Sequence, residues 1–376
     1  MTTHRAVEGR EVAHAPLQEG RLVDAATTAR VDRLVLETIE RRGRTVTAVS
    51  DELEPVLRAA REAAGGGKRI RAALVVWGWR GAASRSVEPD DAVVGVAAGL
   101  ELFHLAALVH DDVMDRSGLR RGRPTVHRVF EREHRRRGFE GRAADFGSAV
   151  ATLVGDLCLT WADALVSDAL RQLEPSRVEA TRRVWDDLRT EVMAGQYLDL
   201  LEQQRRGSRL DVLRRVTTYK SAKYTVEQPL LLGAALGGAP AALREGYSAF
   251  GLDVGEAFQL RDDLLGVFGD PDLTGKPSGE DLREGKRTLL VALAERRADA
   301  VQQRLLHRDV GDAHLDADRL GRLRQVLVET GAVREVEQRI DELVARAHRR
   351  LAGLDVPQPV RAALASAASA CAWRLA

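Results

Sequence analysis

The sequence predicts an all-α fold, a helical bundle in a single domain. Three observations carry this expectation. From about residue 28 onward, almost every segment spaces its apolar residues three or four apart, the helical period. Alternating strand patterns with β-branched residues are nearly absent, and the chain holds only three isoleucines, Ile39, Ile70 and Ile340. Aromatics make up 4% of residues, so packing falls to Leu, Val and Ala, whose small size suits close helix approach. A length of 376 residues would admit two or three domains. No repeat and no long linker appears, so residues 28–376 are expected to form one domain behind a loose arm at 1–27.

In chain order, the first break is AGGGK (64–68). Next, Leu100, Phe103, Leu105, Ala106, Leu108 and Val109 make an apolar run too long for a buried strand. It ends at His110-Asp111-Asp112, and SGLRRGRPT (117–125) follows as the second break. The charge run at 132–145 is expected to be a solvated loop. Beside it lies one Glu-x-x-His unit, Glu131 and His134, of the kind that di-iron bundles use in pairs; no second copy exists, so a metal centre there is disfavoured. Residues 149–170 are apolar with Asp and Trp interruptions, and Leu200, Leu201, Leu210, Leu213 and Val216 keep helical spacing. The last breaks are LGGAP (236–240) and GDPDLTGKPSGED (269–281).

Composition excludes several classes. The 57 basic and 56 acidic residues leave a net charge of +1, against a nucleic-acid binder. With 44% hydrophobic residues the chain buries a core. Two cysteines, Cys158 and Cys371, exclude a disulfide scaffold and are expected to be reduced structural thiols. The N-terminus carries charges where a signal peptide needs an apolar run, and the longest uncharged stretch (229–243) is too short to span a bilayer. A soluble, cytoplasmic protein without an integral membrane segment is expected.

Asp111 and Asp115 stand four residues apart, offset by about 40° on a helix, so they share a face. Two such carboxylates need a cation between them, and oxygen-only ligands suit Mg²⁺ that also grips phosphates. A second acidic pair, Asp262 and Asp263, ends the apolar pattern AFQLRDDLL, so two acidic helix ends could face each other across a bundle. The basic complement is equally patterned. Gly65-Gly66-Gly67-Lys68-Arg69-Ile70-Arg71 is a Gly-rich turn into an apolar helix, a seat for an anion. Lys68 and Arg71 are three apart and can reach one phosphate together. Arg120 and Arg121 follow the first acidic motif, Lys220 and Lys223 sit mid-helix, and Lys276 and Lys286 flank the last Gly-rich loop. The set describes a site for two polyanions, one bridged by metals and one held by Lys and Arg directly.

With these motifs the chain resembles the trans-type polyprenyl diphosphate synthases, from about residue 45 to the C-terminus, and is most like their actinobacterial long-chain branch, the geranylgeranyl diphosphate synthases. The matching stretches are GGGKRIR (65–71), ELFHLAALVHDDVMDRSGLRRGRPTVH (101–127), FGSAVATLVGDL (146–157), GQYLDL (195–200), YKSAKY (219–224) and FQLRDDLLGVFGDPDLTGKPSGEDLREGKRT (258–288). The resemblance implies the isoprenoid synthase type I fold, a single-domain antiparallel helical bundle around a central cavity, together with a homodimer and three Mg²⁺ ions per site. It implies metal ligation by Asp111, Asp112 and Asp115 and by Asp262 and Asp263. Isopentenyl diphosphate would meet Lys68, Arg71, His104 and Arg121. The allylic diphosphate would meet Arg120, Lys220, Gln259, Lys276 and Lys286. Lys220, Ser221, Gln259 and Gln196 are implied as catalytic, Gln196 near the reacting carbons. The chain departs from the pattern at Gly266, where a third Asp is usual, and at Lys220-Ser221, where many members have Lys-Thr.

The resemblance also implies the reaction: an allylic diphosphate (dimethylallyl, geranyl or farnesyl) ionises, isopentenyl diphosphate attacks, and a proton leaves to the departing diphosphate. Product length is expected to follow the helix before Asp111. Ala106 and Ala107 are small where short-chain members carry aromatics, and Phe103, one turn deeper, is the expected floor of a pocket for a twenty-carbon product. Two other activities fit less well. A class I terpene cyclase usually begins its second metal motif with Asn, which this chain lacks entirely. A non-catalytic subunit of a heteromeric synthase would lose its acidic motifs.

Only five lysines occur among the 57 basic residues, and each falls inside a matching motif. Arg is no neutral substitute where a compact ammonium must fit beside a metal-bound diphosphate. Lys220→Arg and Lys286→Arg are expected to lose condensation activity, with Lys223→Arg the mildest of the five. Full activity in all five Arg variants would reduce the lysine pattern to genome drift toward Arg codons.

Overall fold

The computed structural model describes residues 25–83, 89–205, 207–270 and 279–372, with side chains to residue 370. Helix α1 (Ala25–Thr47) begins inside the segment expected to be an arm. Helices α2 (Glu54–Ala64) and α3 (Ile70–Ala82) flank the Gly-rich break. Helix α4 (Asp91–Met114) carries the first acidic motif at its C-terminal end. A two-stranded antiparallel hairpin follows, β1 (Leu119–Arg120) with β2 (Arg123–Pro124), the one sheet among the described residues. Helices α5 (Val126–Arg137), α6 (Ala143–Leu170), α7 (Pro175–Gln203) and α8 (Leu210–Val216) come next. A π-helix (Thr217–Glu227) then leads into α9 (Gln228–Gly237), and α10 (Ala241–Phe268) carries the second acidic pair. The C-terminal part comprises α11 (Glu280–Glu284), α12 (Leu289–Arg297), α13 (Ala300–Asp309), α14 (Ala317–Glu329), α15 (Ala332–Ala352) and α16 (Gln358–Ala372). The expected all-α architecture is what the chain adopts.

Helix α4 is the central element. The Asp90 side chain caps it by accepting from the Val93 amide at 2.9 Å. From Val93 to Val109 most of its residues are buried on every side, as a helix apolar all round requires. α4 and α6 are both long and apolar enough to cross a membrane by composition; 78% of the α4 window lies inside this protein core, against 44% for α6. Burial pushes the Cys158 thiol on α6 up to about 12, so it packs as a small inert hydrophobe. Cys371 lies outside the described side chains.

Two expectations change. The charge run at 132–145 is helical up to Arg137, because Glu131 accepts from Arg128 at 2.7 Å and from Arg135, and Glu133 accepts from Arg136 and Arg137. Glu131 and His134 are buried, and His134 Nε2 meets the Glu140 carbonyl at 3.0 Å, so this pair is structural. The segment with Lys220 and Lys223 is a π-helix and not a plain α-helix, a form that recurs at functional sites.

That π-helix is clamped between α7 and α10 by glycines. A Cβ at Gly195 on α7 would lie 2.4 Å from the Lys220 amide nitrogen, and one at Gly255 on α10 would lie 2.5 Å from the Ala222 Cα. Backbone atoms cannot move aside as a side-chain tip can. Gly195→Ala is therefore expected to destabilise the fold by about 1–3 kcal/mol, read from the midpoint of urea unfolding. An unchanged midpoint would show that α7 and the π-helix part to admit the methyl at no cost.

Candidate active site

Helices α3, α4, α7, the π-helix, α10 and α11 converge on one cavity of about 840 Å³. Lys68, Arg71, His104, Ala107, Asp111, Arg120, Arg121, Gln196, Lys220, Ser221, Gln259, Asp262, Asp263 and Lys286 all reach its wall. Residues separated by over two hundred positions thus meet in one place.

One end is cationic. The GGGK turn carries Gly67 at φ +105°, and a Cβ there would approach Arg121 Nη2 to 2.9 Å, so glycine makes the room in which the guanidinium lies. Arg121 Nη1 donates to the Gly65 carbonyl at 3.2 Å. Arg69 and Arg121 both have left-handed backbone (φ 49° and 53°), a conformation costly for a residue with a Cβ. Arg69 is held by Asp32 at 2.7 Å and by the buried Glu101 at 3.3 Å, and Glu101 also accepts from the Ala72 amide at 3.1 Å. This lock sets where α3 starts and so where Lys68 and Arg71 project.

Arg71 lies 4.4 Å over the Tyr224 ring, donates to Thr225 Oγ1 at 2.9 Å, and meets His104 Nε2 at 3.2 Å. A guanidinium only donates, so Nε2 accepts, and the Nδ1 hydrogen points to Tyr224 Oη, 2.9 Å away. Burial, then Arg71, Arg121, Arg120 and Arg69, hold His104 well below the usual histidine range. A neutral imidazole is what this cationic corner tolerates.

The other end is acidic with lysines between. Lys220 Nζ sits 2.6 Å from Asp199 and 3.3 Å from Asp111. Burial opposes its charge, but Asp111, Asp199 and Asp115 outweigh it and hold the amine above the usual lysine range. Lys286 Nζ reaches Glu284 at 3.1 Å, Asp281 at 3.3 Å and Asp115 at 3.5 Å. Ser117 Oγ donates to the other Glu284 oxygen at 3.0 Å, which ties the turn after α4 to α11. Gln196 Nε2 donates to Asp111 at 3.2 Å, and Gln259 Nε2 to Asp263 at 2.8 Å.

Several expected ligands behave differently from one another. Asp112 lies about 100° round the helix from Asp111, and its buried carboxylate accepts from Arg120 Nε at 3.0 Å, so it fixes that arginine. Asp115 has both oxygens buried and without a hydrogen-bond partner, with Lys286 as its ion-pair neighbour. Burial and the Asp111 charge push its carboxyl up to about 6. Burial pushes Asp263 up to about 8 against its Gln259 bond, with Asp281 and Asp262 adding to the rise. Carboxylates so opposed in their ionised form are a donor set that calls for a divalent cation. Among the described residues no group of three or more His, Cys, Asp or Glu side chains is placed to hold a metal ion by itself, which suits an ion that takes its remaining oxygens from water and phosphate.

Ala107 lines the cavity, whereas Ala106 and Phe103 are turned into the core. Phe103 packs edge-on against Trp185 (5.7 Å) and Tyr224 (5.9 Å). Lys223 points away, pairing with Glu191 at 2.7 Å. Lys276 lies outside the described residues. Arg69, Glu101, Asp199, Tyr224, Thr225 and Asp281 also line the cavity, beyond the residues that the motifs point to. Asp199 was within reach, since it follows Gln196 by three on a helix and so shares its face. Glu101 was not, because only the fold brings it to Arg69.

Sequence comparison accords with this geometry. A profile described as Polyprenyl synthetase matches residues 54–327. The chain belongs to that family. It is 35% identical over 292 residues to the (2E,6E)-farnesyl diphosphate synthase of Mycobacterium bovis, covering 74% of either chain. It is 34% identical over 267 residues to the geranylgeranyl diphosphate synthase of Methanosarcina mazei, covering 68% of this chain and 74% of that one. A solved geranylgeranyl pyrophosphate synthase from Corynebacterium glutamicum, complexed with isoprenyl diphosphate and magnesium, superposes with a TM-score of 0.88 at 36% identity, covering 93% of this chain and 99% of that one.

The suppressed protonation of His104 makes stability depend on pH. The unfolded chain takes up a proton near 6.5 that the folded chain refuses, so the stability this group contributes is present above 6.5 and is lost as pH falls below it. The wild type is expected to lose stability between about pH 6.5 and 5 more steeply than His104→Gln, read from unfolding midpoints. Parallel slopes would show that the folded protein protonates His104.

Proposed function

We propose that this prenyl synthase condenses isopentenyl diphosphate head-to-tail with an allylic diphosphate and that its principal product is geranylgeranyl diphosphate. The supporting observation is one cavity with two unlike ends: a direct cationic seat at Lys68, Arg71 and Arg121, and carboxylates with interposed lysines at Asp111, Asp115, Asp262, Lys220 and Lys286. The first seat suits isopentenyl diphosphate. The second suits the allylic diphosphate with Mg²⁺, as the magnesium and isoprenyl diphosphate of the Corynebacterium complex suggest. The proposal includes three Mg²⁺ ions per site, a homodimer, and residues 28–376 acting as one synthase domain.

Asp111, Asp115 and Asp262 would hold the ions, which when bound neutralise negative charge on the leaving diphosphate. Lys220, Lys286 and Arg120 add fixed positive charge at the same end, where charge develops as the allylic C–O bond breaks and its electron pair leaves with the diphosphate. Lys68, Arg71 and Arg121 hold isopentenyl diphosphate so that its double bond attacks the allylic carbon. Asp112 positions Arg120, and Asp199 positions Lys220. The carbon adjacent to the new cation then loses its proton to the departing diphosphate, and the electron pair of that C–H bond forms the new double bond. No side-chain base is required. The apolar side chains of Ala107, Leu108, Val192 and Phe258 on the cavity wall keep water from the allylic cation.

Product length is read from α4. Small side chains at Ala106 and Ala107 leave a path for a tail past fifteen carbons. Phe103, one turn deeper and wedged against Trp185, is the proposed floor. Incubation with isopentenyl diphosphate, each allylic primer and Mg²⁺ is expected to release pyrophosphate and give a twenty-carbon product. Cyclised hydrocarbon would instead indicate a terpene cyclase, and no product a silent subunit. Phe103→Ala is expected to lengthen the product, and unchanged length would remove the floor assignment.

A further inference from the structure

The second acidic motif has no carboxylate at its third position, where Gly266 stands. Gly266 follows Asp262 by four residues on α10, so the two share a face, and both line the cavity. The volume that a side chain at 266 would fill is already taken. A Cβ there would lie 1.9 Å from Oδ2 and 2.6 Å from Cγ of Asp281. Gly266 has no left-handed backbone, so conformation does not demand glycine here. The approach of Asp281 does.

Asp281 belongs to α11, on the far side of the last Gly-rich loop, and it too lines the cavity. Its carbonyl accepts from the Lys286 amide at 2.9 Å, and its Oδ1 lies 3.3 Å from Lys286 Nζ. The same Nζ reaches Asp115, whose buried oxygens have no hydrogen-bond partner, at 3.5 Å. One ammonium therefore stands between the first acidic wall and the Asp281 carboxylate.

We propose that Asp281 supplies the third carboxylate of the second acidic wall, in the place left open by Gly266, and that the missing Cβ at 266 is what lets it enter. The carboxylate comes from a different helix but faces the same end of the cavity. It acts there on a divalent cation bound with a diphosphate. The identity of that diphosphate rests on the function proposed above.

The test is Mn²⁺ binding in the presence of inorganic pyrophosphate, followed by electron paramagnetic resonance on the full chain. Asp281→Asn is isosteric and is expected to weaken Mn²⁺ binding by about tenfold. Gly266→Ala is expected to do the same, because its methyl overlaps the Asp281 carboxylate and must turn that side chain out of the site. Combining the two should add little to either alone. Gly266→Asp with Asp281→Asn should return binding toward the wild-type value, since the carboxylate is restored from α10. Thermal unfolding of each variant separates a lost carboxylate from a lost fold. Wild-type Mn²⁺ binding in Asp281→Asn, or no recovery in the Gly266→Asp, Asp281→Asn pair, would overturn the proposal. The probe carries no prenyl chain, so the two readings fail separately. A wild type that binds Mn²⁺ with pyrophosphate but elongates no primer sinks the function and leaves Asp281 standing. A wild type that elongates primers beside an unaffected Asp281→Asn does the reverse.

Discussion

The interposition of lysine between carboxylates is the interaction on which the cavity depends. Asp111, Asp115, Asp199, Asp263 and Asp281 crowd one end of a partly buried space, where like charges repel far more than in water. Lys220 and Lys286 relieve part of that repulsion, each bridging acids from different helices. The relief is incomplete, as the raised Asp115 and Asp263 carboxyls show. A site balanced in this way keeps negative charge that a divalent cation arriving with a polyanion can neutralise.

The fold serves this arrangement through rigid backbone and not through flexible reach. The π-helix presents Lys220 and Tyr224 to the cavity while Gly195 and Gly255 admit it between α7 and α10. At the opposite end, two arginines in left-handed backbone are held by Asp32, Glu101 and the Gly65 carbonyl. Strain of that kind persists only when surroundings over-determine it. At both ends the described side chains are therefore fixed by their own packing and hydrogen bonds.

The similar proteins bear names with different product lengths, farnesyl and geranylgeranyl, at nearly equal identity. Identity over the whole chain therefore does not distinguish the product. The proposed product length rests instead on a few apolar positions beside the acidic wall, Ala106, Ala107 and Phe103.

Much of this was legible along the chain. Helical spacing and the near absence of strand patterns specified an all-α protein, because amphipathic periodicity is a local property. The spacing of Asp111 and Asp115, and of Lys68 and Arg71, declared which side chains share a helix face, and these line one cavity together except Asp115, which sits just behind the wall against Lys286. What lay beyond the sequence were contacts between helices. Asp112 looks identical to Asp111 in sequence, yet one turns inward to hold Arg120 and the other faces the cavity. The π-helix was read as ordinary helix, since a widened turn leaves no mark in residue spacing. Gly266 is only a departure from the second motif along the chain, and the fold puts Asp281 against it. Periodicity reports the direction of a side chain from its own helix axis, and only packing decides what stands opposite.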